Sequence, residues 1–191
     1  VTDILANSAT GNGNISDLGN PANIKQYGVC WSTAENPDTS DNHRDEGSAS
    51  EIGTFTTSIP GLQEGTIYYV RAYAINDAGY VYGLQVSFST NTRPNGGNDN
   101  IALDEDNIYT FKNDDFTYND SDSDPFSGIK ITSLETAGDL EYDGTEVSVD
   151  DEISAGNIAN LTYSPEPDSN GTDYATFEFK VYDSKDYSST S

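Results

Sequence analysis

The 191-residue sequence predicts an all-β fold built from two tandem β-sandwiches. Short segments rich in β-branched and aromatic residues alternate between apolar and polar side chains, as half-buried strands do. Turn-forming pairs such as Asn12-Gly13 and Pro60-Gly61 recur between these segments. No window longer than a turn shows the apolar spacing of a helix. We therefore expect two domains, at 1–90 and 101–191, joined by a polar Gly- and Asn-rich linker at 91–100.

The strand segments of the first domain are long and apolar. In residues 66–75, Tyr68 and Val70 alternate with Tyr69 and Arg71, which predicts a strand with two distinct faces. Further strands are predicted at 24–32, 53–59 and 84–89. In the second domain, strands are predicted at 107–111, 128–134, 138–142, 160–164 and 175–182, with a hairpin turn at Asp143-Gly144.

The charge excludes several classes of function. Acidic residues number 33 against 8 basic ones, giving a formal net charge of -25. Such a chain repels phosphate groups, so we expect no nucleic-acid partner and no binding to anionic membranes. No segment resembles a membrane-spanning helix or a signal peptide, so we expect no membrane insertion. The single Cys30 lies in an apolar run and is predicted to be buried without a disulfide. Because the sequence has no Met and begins with Val, we interpret it as part of a larger protein.

A motif in the first domain resembles a known fold family. Leu62, then Gly65-Thr66, then Tyr68 is similar to the E–F corner of a fibronectin type III domain, and residues 27–32 and 76–83 match further. The set resembles the fibronectin type III-like repeats of surface proteins from Bacteroidetes-type bacteria. The resemblance implies an immunoglobulin-like sandwich, a Tyr68 side chain bonded back to the chain, and a non-catalytic spacer or adhesive role.

Asp120, Asp122 and Asp124 alternate with serines in an acidic loop of the second domain. Carboxylates this close repel one another unless a cation lies among them, and oxygen ligands suit calcium better than zinc or copper. The alternative is a solvated polar turn in a very acidic protein. An EF-hand fits poorly, because Pro125 stands where that loop needs Gly.

A second resemblance covers nearly all of the second domain. It rests on residues 103–106, Phe116 with 120–124, 131–134 with 138–140, 161–165 with 170–172, and 177–183. These segments follow one another as in the cadherin-like tandem repeats of bacterial adhesins and secreted polysaccharide-degrading enzymes. The two domains are thus expected to be tandem immunoglobulin-like β-sandwiches. The resemblance implies a Ca²⁺ site formed by Glu105, Asp120, Asp122, Asp124 and Asp183, with Asp104 or Asp106 as alternatives to Glu105.

Catalysis is poorly supported, because His43 is the only histidine and no nucleophile motif occurs. We expect a non-catalytic, calcium-stabilised adhesion or spacer module of a larger bacterial protein, secreted or at the cell surface. Its expected partners are a polysaccharide or a cell-surface glycan or protein, and the neighbouring domains of the parent chain. The alternative is a carbohydrate-binding accessory module of a secreted polysaccharide-degrading enzyme, with Tyr80 and Tyr82 stacking on sugars. Both tyrosines could instead pack within the sandwich.

Overall fold

The structure, a computed structural model, describes residues 1–20 and 22–189. Its strands pair in antiparallel sheets, and helical turns within these residues are confined to two short 3-10 segments, Asn113–Asp115 and Ala155–Asn160. The all-β prediction is confirmed. The chain divides into two compact units, Val1–Asn91 and Thr92–Ser191.

The first unit contains two antiparallel sheets. Its strands are β1 (Ser8–Ile15), β2 (Gln26–Ser32), β3 (Asn42–Asp45), β4 (Gly53–Pro60), β5 (Ile67–Asn76), β6 (Gly79–Tyr82) and β7 (Val86–Ser89). The smaller sheet pairs β1 with β4, and the larger has the order β3-β2-β5-β6, with β7 also paired to β5. This two-layer arrangement is consistent with a β-sandwich.

The core of the first unit lies between these two sheets. Val29 and Val70 of the larger sheet pack in one buried cluster with Ala9 and Ile59 of the smaller one. Full burial of a side chain such as Ile59 contributes roughly 1.5–3 kcal/mol. The face of β5 that carries Tyr68 and Val70 is therefore the one that packs in this core.

Tyr68 ties the start of β5 to the preceding turn. The Gln63 N–H donates to the Tyr68 hydroxyl over 3.1 Å, and the Tyr68 ring stacks on Phe88 with 6.0 Å between centroids. The side chain is thus bonded back to the chain, as the sequence motif predicts.

The prediction of a turn at Asn12-Gly13 is wrong, because both residues lie inside β1. Gly13 faces the ring of Phe55, and a Cβ on Gly13 would lie 2.3 Å from that ring. The glycine therefore makes room for an aromatic side chain between the sheets, which local sequence does not reveal.

The second unit has three antiparallel sheets. Its strands are β8 (Asn95–Gly96), β9 (Tyr109–Thr110), β10 (Tyr118–Asn119), β11 (Gly128–Ser133), β12 (Asp139–Tyr142), β13 (Thr145–Glu146), β14 (Glu152–Ser154), β15 (Leu161–Ser164) and β16 (Glu178–Tyr182). The sheet orders are β14-β11-β16, β13-β12-β15-β9 and β10-β8. Ile131, Leu140, Leu161 and Val181 share its buried core. The predicted hairpin turn at Asp143-Gly144 joins β12 to β13, with positive φ at both residues.

Part of the segment predicted as a linker is strand. Asn95–Gly96 form β8 and pair with β10, and the second unit begins at Thr92. Asp99 accepts hydrogen bonds from both the N–H and the hydroxyl of Thr117, at 2.7 and 2.6 Å. These contacts bind residues 95–99 to the second unit.

Strand register places the acidic loop at one end of the second unit. Gly128, the first residue of β11, pairs with Tyr182, the last residue of β16. The loop before β11 and the segment after β16 therefore leave the sheet side by side. Tyr109, the first residue of β9, pairs with Tyr163, and the Tyr163 hydroxyl donates to the Ala137 carbonyl in the connection from β11 to β12. The residues before β9 therefore lie at the opposite end of the unit from the acidic loop.

Candidate metal centre

The acidic loop is folded around one carboxylate oxygen. Asp120 Oδ1 accepts hydrogen bonds from the backbone N–H groups of Asp122 and Asp124, at 2.8 and 3.0 Å. Ser123 between them has a φ of 66°, which reverses the chain direction within the loop. Short polar side chains favour this kind of local turn over a strand.

The turn brings three carboxylates together. Asp120, Asp122 and Asp124 each offer one oxygen, and these oxygens lie within 4.8 Å of one another. Asp120 Oδ2 is buried and has no hydrogen-bond partner among the described residues. A buried, unpaired carboxylate oxygen is costly, and a hard cation would compensate it. The donor set, which consists only of oxygen, fits calcium or magnesium and excludes a soft metal.

Asp183 is fully buried, and it lies outside the group of three carboxylates whose oxygens are within 4.8 Å of one another. Its Oδ1 accepts the backbone N–H groups of Lys185 and Asp186, at 2.7 and 2.6 Å. Burial raises the pKa of Tyr118, and the charges of Asp120, Asp183 and Asp124 raise it further. Two segments far apart in sequence thus place their carboxylates around the same tyrosine.

Lys185 supplies a positive charge to the cluster. Its Nζ lies 2.7 Å from Asp124 Oδ2. The hydrogen bond to Asp124 raises the pKa of Lys185, and the charges of Asp124, Asp183 and Asp122 raise it further. Sequence reasoning missed this residue, although its position two residues after Asp183 was a usable signal.

Asp122 is bonded to the start of the second unit. Its Oδ2 accepts the Thr92 N–H over 2.6 Å, and its Oδ1 accepts the Thr92 hydroxyl over 3.3 Å. The carboxylate thus fixes the segment that leads into β8. Nothing in the sequence pattern indicated this contact, since the two residues are thirty positions apart.

Glu105 is the predicted ligand that the structure does not bring to the cluster. It is exposed and precedes β9, at the end of the sheet opposite the acidic loop. The neighbouring Asp106 accepts the backbone N–H of Asp168, in the loop after β15. The carboxylates gathered at one end are therefore Asp120, Asp122, Asp124 and Asp183.

Tyr80 and Tyr82 form a parallel pair on β6. Their ring centroids are 6.3 Å apart, and the ring planes differ by 8°. Tyr80 is 61% exposed. The Arg71 guanidinium lies over the Tyr82 ring, 4.6 Å from its centroid, and the Tyr82 hydroxyl contacts Thr39. Tyr80 is therefore exposed to solvent, whereas Arg71 and Thr39 fix the position of Tyr82.

Cys30 is buried, as predicted, and its Sγ donates to the Pro37 carbonyl over 3.3 Å. Burial raises the pKa of the thiol to about 11. His43 lies on β3 opposite Cys30 in the strand register. A neutral thiol in this setting is a poor nucleophile at neutral pH.

A comparison of the chain with models of protein families gives no match, and a comparison with curated proteins gives none either. Fold and site geometry therefore carry the functional assignment. In residues 1–20 and 22–189, helices of the length and apolarity needed to cross a membrane are absent.

Proposed function

We propose that the chain is a non-catalytic, calcium-stabilised adhesion or spacer module of a larger extracellular bacterial protein. In this proposal it consists of a fibronectin type III-like domain followed by a cadherin-like domain. The convergence of Asp120, Asp122 and Asp124 within 4.8 Å is the observation that carries it. The bond from Gln63 to Tyr68 supports the first resemblance.

Under this proposal, Ca²⁺ is held by Asp120, Asp122, Asp124 and Asp183. Calcium takes six to eight oxygen ligands, so backbone carbonyls or water would complete the set that the carboxylates begin. The ion would give the buried Asp120 Oδ2 its missing partner and offset the repulsion among the acidic groups. Its role would be to fix the end of the second unit where the loop before β11 meets the segment after β16.

Thermal melting in millimolar calcium and in EDTA tests the proposal. Calcium at about 100 times its dissociation constant adds roughly 2.7 kcal/mol to the free energy of unfolding. This raises the melting temperature of a domain of about 100 residues by about 11–22 °C. Asp120→Asn should abolish the shift. Glu105→Gln is the matched control and should keep it, since Glu105 lies at the opposite end. An unchanged melting temperature in calcium would contradict the proposal.

Carbohydrate binding by an accessory module is the second candidate, and the stacked Tyr80–Tyr82 pair favours it. An exposed aromatic ring held by a second ring offers a flat apolar surface to a sugar. Binding to a panel of polysaccharides measures it directly. Tyr80→Ala should remove saturable binding, and Ile52→Ala, which alters another exposed apolar residue, should not. Equal binding by both variants would contradict this candidate.

A further inference from the structure

The dipeptide Asn-Gly occurs three times in the chain, at Asn12-Gly13, Asn95-Gly96 and Asn170-Gly171. This dipeptide is chemically reactive, because glycine has no Cβ to hinder the approach of its backbone nitrogen to the preceding side-chain amide. The reaction needs an accessible N–H and a backbone that can turn away from the paired, extended conformation. The surroundings of the three pairs therefore decide which of them reacts.

Two of the pairs are held in strands. Asn12 and Gly13 lie inside β1, where Gly13 pairs with Phe55 of β4. A Cβ on Gly13 would lie 2.3 Å from the Phe55 ring, so this glycine is also tightly packed. Asn95-Gly96 forms β8, which pairs with β10. Strand pairing fixes the backbone in the extended conformation, so at both pairs the side-chain amide is kept from the nitrogen that follows it.

Asn170-Gly171 lies in the loop between β15 and β16, outside any strand. Both residues are exposed, and a Cβ on Gly171 would meet nothing within 4 Å. Among the described residues, neither the Gly171 N–H nor the Asn170 side chain has a hydrogen-bond partner. Gly171 has a φ of 148°, a conformation that glycine adopts easily. Of the three pairs, this one combines an accessible nitrogen with an unrestrained side-chain amide.

Hydrogen bonds on both sides of Asn170 anchor the loop. The Asp168 N–H donates to Asp106 over 2.9 Å, and the Thr176 N–H donates to the Thr136 hydroxyl over 3.0 Å. The Thr136 N–H in turn donates to the Thr176 carbonyl over 3.0 Å. A chemical change at residue 170 therefore leaves these anchors in place, and the core of the second unit with them.

We infer that Asn170 is a site of spontaneous modification in which water is the only co-reactant. The Gly171 nitrogen bonds to Cγ of Asn170, the Cγ–Nδ2 bond breaks, and ammonia leaves with the proton from the Gly171 N–H. Water then opens the five-membered succinimide at either carbonyl. One opening gives aspartate, and the other gives isoaspartate, in which the backbone runs through the former side chain. Either product adds one negative charge to a chain whose formal net charge is -25.

Peptide mapping by mass spectrometry of the chain, incubated at body temperature and neutral pH, tests the inference. Peptides that contain residue 170 should gain about 1 Da, because ammonia is lost and water is added. They should do so at least about tenfold faster than peptides that contain Asn12 or Asn95, which react only when their strands open. Electron-transfer fragmentation should identify isoaspartate at residue 170. In guanidinium chloride, which removes the strands, the three pairs should react at rates within about threefold of one another.

Asn170→Gln supplies a variant that keeps the amide and the fold. Its longer side chain would have to close a six-membered ring, which forms far more slowly, so the mass gain at residue 170 should disappear. Asn100→Gln is the matched control, because it makes the same change at an exposed asparagine that Ile101 follows. It should leave conversion at Asn170 unaltered.

Three results would overturn the inference. The first is equal conversion of the three pairs in the folded chain, because the strands would then give no protection. The second is conversion at Asn170 in guanidinium chloride but not in the folded chain, because the loop would then hold the amide away from the nitrogen. The third is an undiminished mass gain at residue 170 in Asn170→Gln, because the reaction would then not pass through the succinimide.

Discussion

The two oxygens of Asp120 have different tasks. Oδ1 accepts two backbone N–H groups and shapes the loop, whereas Oδ2 is buried without a partner among the described residues. Asp120 thus stabilises the turn through Oδ1 and keeps Oδ2 as a strong acceptor for a cation. Lys185 gives the neighbouring Asp124 a positive partner. In the proposed metal centre, this ammonium group competes with the cation for Asp124.

Lys185→Gln should lower the stability of the calcium-free second unit and raise its affinity for calcium. Without calcium, loss of the partly exposed ion pair should lower stability by about 1 kcal/mol or less. With calcium, affinity should rise severalfold, because a competing positive charge is gone. Melting in EDTA and calorimetric titration with calcium measure the two effects. Lys112→Gln, the same change away from the site, should leave calcium affinity unaltered, and weaker binding by Lys185→Gln would refute the competition.

Alkaline pH should destabilise the first unit through two buried groups, the Cys30 thiol and the Tyr73 hydroxyl. Burial raises the pKa of Cys30 from 9.0 to about 11 and that of Tyr73 from 10.0 to about 12. Both neutral forms are favoured in the folded state, so the stability that they contribute is complete below about pH 9 and is lost as the pH rises towards about 12. The urea midpoint should fall across that interval. Cys30→Ala should remove the part of the fall between about pH 9 and 11, and an unchanged profile would rule out this role of the thiol.

At the scale of single elements, glycines decide where strands approach closely. Gly28 in β2 lies against the backbone of β3, and a Cβ there would be 1.8 Å from the Arg44 carbonyl oxygen. The sequence predicts β2 and β5 because both segments are rich in β-branched and aromatic residues. It does not predict β1, because the inward positions Gly11 and Gly13 have no side chain to mark the alternation. The partner that makes those glycines necessary, Phe55, is known only from the fold.

Gly28→Ala should separate β3 from β2. The new methyl group cannot avoid a backbone oxygen by a rotamer change, so the strands must move apart, at a cost of about 1–3 kcal/mol. Urea denaturation of the first unit measures the loss. Gly83→Ala is the control, because a Cβ there comes no closer than 3.6 Å to its nearest neighbouring atom. Equal stability of the two variants would show that the β2–β3 pairing absorbs the methyl group without cost.

At the scale of the whole molecule, the described residues form two separate buried clusters, one in each unit. The site follows only in part from the sequence. The alternation of Asp120, Asp122 and Asp124 is local and could be predicted, whereas Asp183 lies outside their 4.8 Å group and stays a prediction from the resemblance. Glu105 was assigned by the same resemblance, but strand register places it at the other end. Lys185 and Thr92 contribute through tertiary contacts, which sequence spacing does not encode.

The two clusters should unfold as separate units. Ile59→Ala should lower the free energy of unfolding of the first unit by about 2–5 kcal/mol, and Leu161→Ala should do the same for the second unit. Each substitution leaves a cavity in its own core and should shift only one calorimetric transition. Calcium should move the transition that Leu161→Ala identifies. A single transition that both substitutions lower equally would contradict this independence.

The bond between Thr92 and Asp122 has a mechanical consequence. Thr92 is the first residue of the second unit, and both its N–H and its hydroxyl are bonded to Asp122. A pulling force that enters through residue 92 therefore loads these bonds before it reaches β8. Because Asp122 belongs to the proposed calcium site, the ion would act as a clamp on the loaded strand end. Resistance to stretching would then depend on the calcium concentration.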